Sequence, residues 1–255
     1  MDLAQFRYLT FDVVGTLIDF EGGIVDSLGE IAAEANSAGV MVWPNWALPG
    51  LPICATRASS CALLRGLRPT TMCRRWVAAI GATPAKPFSG IAWVAVLAQA
   101  AAWAAAGASR APALNTADSA AAMARLARRY KLIAMTNARR WALDHFEREL
   151  GSPFYATFTV DDTGSEKPDP AFFTQVFDFV ERDGGAKSQI LHVAQSQYHD
   201  IGISRQLGIA NCWIERRHDK QGYGGTIAPA SFTKPDFHFH SMAELADAVD
   251  HVPAT

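Results

Sequence analysis

The chain has 255 residues, a formal net charge of −2 and 49% hydrophobic residues, enough to bury a sizeable core. This balance gives no electrostatic footprint for nucleic acid or an anionic membrane, and neither is expected as a partner. The opening MDLAQFRYLTF has no basic segment leading into an apolar one, and Cys54, Cys61, Cys73 and Cys212 match no zinc or CxxC spacing, so reduced thiols in a cytoplasmic protein are expected.

In chain order, the apolar run Tyr8–Phe11 predicts a short strand ending on Asp12, with Gly15 and Thr16 in a tight turn. Two residues after Asp12 stands Val14. Gly22–Ala35 is amphipathic, with Ile24, Leu28, Ile31 and Ala32 at helical spacing. From Ala35 to Ala117 there is then no Asp or Glu for 83 residues, although this stretch carries seven basic residues and five of the seven tryptophans. Soluble amphipathic helices normally carry acids on their wet face. Inside the stretch, Phe88–Ser109 is uncharged for 22 residues, long enough to cross a bilayer. One crossing would separate strands that must share a sheet, so a buried helix is the expectation. Two readings of the stretch stay open. It is an evolved insert of odd composition, or an out-of-frame reading of a GC-rich gene entering near Val40 and reverting near Asp118.

Regular alternation follows. Helix is predicted over Ser119–Tyr130, strand over Lys131–Asn137, and helix over Arg140–Leu150, stopped by Gly151. A β run covers Tyr155–Val160 and a helix with a proline start covers Pro170–Gly184. Gln189–Ser196 is a buried strand leading into a helix over His199–Gly208, and Ala210–Glu215 is another strand before a polar, Gly-rich loop. Pro235–Asp250 closes the chain as strand then helix, with Ser241 and Glu244 at capping-box spacing. Short apolar strands alternating with helices predict an α/β fold, a Rossmann-like parallel sheet with helices on both faces. The core spans residues 1–20 and 117–255, and residues 21–116 are inserted.

Ligands of such sheets bind beyond the C-terminal strand ends. Those ends supply Asp12 with Thr16, then Thr136 and Asn137, then Lys167 in GSEKPDP, then Ser196 and Asp200 in HVAQSQYHD. An aspartate can act as a nucleophile when donors orient it and a cation keeps it ionised, and Lys167 is expected to lower the pKa of both carboxylates. Taken singly, each has a plainer reading: Asp12 capping a turn, Thr136 capping the next helix, Lys167 on the surface. His192 reads as a satisfied core histidine and His199 as a helix-start histidine with a structural hydrogen bond. Phe172, Phe173 and Phe177 read as core, and Arg216, Arg217 and His218 as solvated loop.

The ordered set DVVGT, TN, KPDP and SQYHD resembles the haloacid dehalogenase superfamily of hydrolases, over residues 1–34 and about 118–250. The resemblance implies an inserted helical cap over 21–116, its sequence atypical over about 40–116. It implies a nucleophile in Asp12, charge compensation by Lys167 and an acid in Asp200. Thr16, Thr136, Asn137 and Ser196 would hold substrate or nucleophile. Members that transfer phosphoryl groups usually carry an acid two residues after the nucleophile and an acidic pair in the last motif. Here those positions are Val14 and Gln195. Halide leaves as an anion and needs neither proton nor metal; DVVGTLID, KPDPAFF and the loop WIERRHDKQGYGGT resemble the 2-haloacid dehalogenase (type II) branch. The expected function is metal-independent cleavage of a carbon–halogen bond in a small 2-haloacid through an aspartyl ester. No cofactor and no metal ligand are expected, and Mg²⁺ enters only under the alternative of a small-molecule phosphatase. Hydrolysis of a related carbon–heteroatom bond and an inactive homologue are further alternatives, and a homodimer is compatible with all of them. Val14 and Phe173 depart from that branch, which commonly has an aromatic residue and a tyrosine there.

Overall fold

The structure, a computed structural model, describes residues 2–19, 117–223 and 226–252. The helix expected over Gly22–Ala35, the uncharged run Phe88–Ser109 and the cap with its two open readings lie outside the described residues.

Six strands form one parallel sheet: β1 (Tyr8–Phe11), β2 (Lys131–Met135), β3 (Ala156–Phe158), β4 (Ile190–Ala194), β5 (Ala210–Ile214) and β6 (Phe237–Phe239). Their order is β3-β2-β1-β4-β5-β6. β1 lies between β2 and β4 with Tyr8 opposite Lys131 on one side and Ile190 on the other. The chain therefore builds outward from β1 to β3, then returns to β4 and builds the other way. That reversal makes the crevice at the C-terminal ends of β1 and β4 the binding position of an open α/β sheet.

Helices α1 (Ser119–Leu126), α2 (Arg140–Glu149), α3 (Val160–Thr163), α4 (Pro170–Arg182), α5 (Gly202–Gln206) and α6 (Met242–Asp250) connect and cover the strands. Alternation along each strand sorts the core into two layers. Leu9, Phe11, Leu132, Leu191 and Val193 pack with Met123, Leu143, Phe146 and Leu245 of α1, α2 and α6. Tyr8, Ile133, Met135 and Ile190 pack with Phe172, Phe173, Val176 and Val180 of α4 and Ile203 of α5. Helices on both faces explain why β1 and β4 are buried along their whole length rather than alternating between buried and exposed residues. Each fully buried Leu or Phe contributes about 1.5–3 kcal/mol of burial energy.

Local chemistry sets the boundaries. Asp169 accepts from the Ala171 amide and Pro170 takes the first position of α4, as the sequence predicts. Gly151 ends α2 with φ +79°, a conformation that suits glycine. Strand β3 stops at Phe158, two residues short of expectation, because Asp162 accepts from the Thr159 amide (2.8 Å) and hydroxyl (2.7 Å) and draws Val160 into α3. The helix expected over His199–Gly208 divides into a π-type turn, Gln197–Ile201, and α5. Ser241 caps α6 as expected, accepting from the Glu244 amide at 3.1 Å, while Glu244 reaches back to the His240 amide at 2.8 Å. Among the described residues, no helix is long and apolar enough to cross a membrane.

Candidate active site

β1 delivers Asp12 to the sheet edge, and the next five residues fold back on themselves. Leu17 and Ile18 both donate backbone hydrogen bonds to the Val13 carbonyl, and Gly15 donates to that of Ile18. Gly15 has φ +86°, a backbone conformation that favours glycine, and a Cβ there would press on Gln195 Nε2 at 3.0 Å. The turn places the Thr16 hydroxyl to donate to Asp12 Oδ2 at 2.7 Å while accepting from the Gln195 amide at 2.9 Å. One hydroxyl thus couples the end of β1 to the end of β4.

Lys167 Nζ lies 2.9 Å from Asp12 Oδ1 and 2.7 Å from Asp200 Oδ1. Relative exposures are 7% for Asp12, 3% for Lys167 and 0% for Asp200, which excludes the surface-lysine reading. Asn137 holds the Lys167 backbone at both ends, its Nδ2 donating to the Lys167 carbonyl (2.9 Å) and its Oδ1 accepting from the Lys167 amide (2.8 Å). A four-carbon stem is flexible, and anchoring its backbone removes much of that freedom before the ammonium reaches the acids. Thr136 and Ser196 brace turns: Thr136 Oγ accepts from the Ala138 amide (3.1 Å), and Ser196 Oγ accepts from the His199 amide (3.0 Å). All seven residues singled out in the sequence therefore fall in one neighbourhood. Asp12, Lys167 and Asp200 are in direct contact, Thr16 and Asn137 hold them, and Thr136 and Ser196 shape the loops. His199 Nδ1 lies 3.2 Å from Ser196 Oγ, the structural hydrogen bond expected of it, and burial lowers its pKa.

Two residues had been read too plainly. His192 is a buried core histidine, its ring edge-on to Phe173, but its partners belong to the site: Nδ1 is 2.8 Å from Thr10 Oγ and Nε2 is 3.0 Å from Asp200 Oδ1. With Thr10 donating to Nδ1, the remaining N–H points at Asp200. Thr10 and His192 sit opposite each other in register, so two polar residues at matching positions of paired apolar strands were the signal. Arg216 is not solvated loop. Its Nε donates to the Thr16 carbonyl (2.9 Å), one terminal nitrogen to Asp118 Oδ1 (2.8 Å) and the other to Ser119 Oγ (3.1 Å). It ties the loop after β5 to the Asp12 turn and the start of α1. A run of three polar residues hid an arginine whose planar fork reaches acceptors far along the chain.

Lys167 pulls both carboxylates down, as expected, but only at Asp200 does its pull outweigh burial. Burial pushes Asp200 up, but the Lys167 ammonium and the hydrogen bond from His192 outweigh it and hold the acid at about 2. Asp12 goes the other way: burial raises its pKa, the nearby Asp200 charge adds to this, and Lys167 only partly opposes them. Burial alone would lower Lys167, yet two carboxylates keep it above the ordinary lysine value. One cation divided between two buried acids cannot compensate both fully. Asp200 Oδ2 is buried and has no hydrogen-bond partner among the described residues.

A sequence model of the haloacid dehalogenase-like hydrolase family matches residues 6–201. No curated protein matches the chain. Among solved structures, the chain resembles the HAD hydrolase YfnB from Bacillus subtilis, bound to magnesium (17% identity, 96% of this chain and 99% of that one, TM-score 0.60). It also resembles L-2-haloacid dehalogenase from Xanthobacter autotrophicus (19% identity, 97% and 100%, TM-score 0.57) and a HAD phosphatase from Thermococcus onnurineus (17% identity, 96% and 98%, TM-score 0.55). At these identities the likenesses establish the fold.

Proposed function

The chain belongs to the haloacid dehalogenase-like hydrolases, and from that premise we propose that it cleaves the carbon–halogen bond of a small 2-haloacid without a metal. The observation that carries this reading is the Lys167 ammonium bridging Asp12 and Asp200, with Val14 and Gln195 where acids would serve phosphate chemistry.

Asp12 attacks the halogen-bearing carbon in line; the carbon–oxygen bond forms as halide departs with the bonding electrons. Thr16 and Lys167 each hold one Asp12 oxygen, which orients the carboxylate before substrate arrives. Its raised pKa marks a carboxylate stabilised less than one in water, hence a better nucleophile once ionised. Water then attacks the ester carbonyl of Asp12 and passes a proton to Asp200, whose Oδ2 has no hydrogen-bond partner among the described residues. The products are the 2-hydroxyacid, halide and a proton. His192 fixes the Asp200 carboxylate through its other oxygen.

The donor set supports the metal-free reading. Mg²⁺ takes an octahedron of hard oxygens, with carboxylates supplying the charge. Both Asp12 oxygens and one of Asp200 are already engaged by Lys167, Thr16 and His192, and Gln195 adds no charge. The magnesium-bound and phosphatase relatives nonetheless define the rival outcome of the test.

The test is halide release from a panel of 2-haloacids in EDTA, with mass spectrometry of single-turnover mixtures. Release should persist in EDTA, an adduct should appear on Asp12, and Asp12→Asn should cut turnover by at least roughly a thousandfold. Hydrolysis of phosphate esters that EDTA abolishes, with no halide released, would replace this reading by the phosphatase.

A further inference from the structure

A second cluster of chemistry-bearing side chains lies at the outer edge of the sheet, where β5 ends beside β6. Phe237 and Phe239 turn into the core, so His238 and His240 share the opposite, exposed face of the edge strand. Glu215, the residue after β5, donates its amide to the Phe239 carbonyl at 2.8 Å, which fixes its backbone beside them. Its Oε2 lies 2.8 Å from His238 Nε2 and 3.7 Å from His240 Nε2. One donor atom from each of the three side chains falls within 4.8 Å of the others.

We propose that Glu215, His238 and His240 form a binding site for a zinc-class divalent ion, joining the end of β5 to the edge strand β6. Tetrahedral zinc with bonds near 2.0–2.1 Å needs ligand atoms about 3.3 Å apart. The 2.8 Å pair has to open and the 3.7 Å pair to close by about half an ångström each, within the reach of side-chain rotation. The ion takes the place of the hydrogen between His238 Nε2 and Glu215 Oε2, the imidazole then carrying its hydrogen on Nδ1. Two imidazoles with one carboxylate select zinc, nickel or copper over Mg²⁺ and Ca²⁺, which prefer all-oxygen shells.

Both imidazoles are held by a stacked neighbour. The His238 ring lies on Trp213 at 4.6 Å between centroids and 21° between planes, and Trp213 is itself fixed by its Nε1 donating to the Gln195 carbonyl at 2.9 Å. The His240 ring lies on His218 at 4.4 Å and 25°, and His218 Nδ1 is 3.2 Å from the Glu215 carbonyl oxygen. Orientation by neighbouring groups lowers the ordering cost of ligation. The site has three protein ligands and solvent access, His238 and His240 having side-chain exposures of 42% and 48%, so water completes the shell and the ion exchanges readily.

The test is calorimetric titration of the tag-free full chain with zinc chloride. One ion per chain should bind with a Kd on the order of micromolar. Affinity should fall at least roughly a hundredfold in H238A/H240A and about tenfold in E215Q, and stay unchanged in D12N. Millimolar Mg²⁺ should not displace the zinc. Since the ligands are partly exposed, the variants should melt with the wild type in EDTA, and zinc should raise the Tm of the wild type alone. Equal affinity in wild type and H238A/H240A, or loss of binding in D12N, would overturn the assignment.

Discussion

Strand β1 has a carboxylate and a lysine clustered at each end, and the two clusters differ in how many donors meet each acid. At its start, Asp183 accepts from Tyr8 (2.6 Å) and Tyr155 (2.7 Å) hydroxyls and from Lys131 Nζ (2.6 Å). One acid meets one cation and two hydroxyls. The Lys131 hydrogen bond, followed by those of the tyrosines, holds Asp183 well below the usual carboxylate range. At the other end, two buried acids divide one cation, burial raises the pKa of Asp12, and Asp200 keeps an oxygen without a partner among the described residues. The first arrangement braces the fold. The second has charge still to compensate, and that is where chemistry is poised.

The largest effect should separate the two ends at once. Lys167→Met leaves two buried carboxylates without a cation and should cost about 3–5 kcal/mol in urea unfolding at neutral pH, with loss of turnover. Lys131→Met, beside a partly hydrated acid with two other donors, should lower the midpoint by much less and spare turnover.

A medium effect tests the opposite shifts of the two site acids. A raised native pKa means that the folded state gives up the Asp12 proton less readily than the unfolded chain, so this group loses stability as pH rises through the carboxylate range. Asp12→Asn should therefore stabilise the fold at pH 7, read as a higher midpoint in urea unfolding, while removing activity. Asp200 is depressed, so its contribution is present above the unfolded pKa and is lost as pH falls toward about 2; Asp200→Asn should destabilise at pH 7. The same raised pKa should move the acid limb of kcat/KM upward from that of an ordinary aspartate.

The smallest effect concerns the bracing end. Asp183→Asn should lower Tm modestly at neutral pH. Because Asp183 is depressed in the fold, its contribution exists above the unfolded carboxylate pKa and fades in acid. The Tm difference from wild type should shrink as pH drops below about 4, in melts followed by circular dichroism.

Much of the fold was legible because each strand end carries its own punctuation. Asp12 followed by Gly15, Pro170 after Asp169, Gly151 after α2 and Ser241 before Glu244 are local signals, and each lies where the sequence places it. The end of β3 was missed because Asp162 bonds back to Thr159, and a side chain reaching three residues back outweighs the β propensity of a Thr-Val pair. His192, Arg216, His238 and His240 were passed over for a related reason. Each looks ordinary along the chain, and its partners are 8 to 200 residues away or on a neighbouring strand.

The sequence by itself determined the order of the six strands and of every described helix but α3, the family, and the seven residues that the fold gathers, because periodicity, caps and motif spacing are local properties of a chain. Only the tertiary structure decided how charge is apportioned among those residues. That the pull of Lys167 prevails at Asp200 and is outweighed at Asp12 depends on burial and on His192 siding with one acid, and both arise when β1, β4 and the Lys167 loop come together. Coulomb attraction and desolvation are sums over neighbours in space, and a chain read end to end names the neighbours without setting their distances.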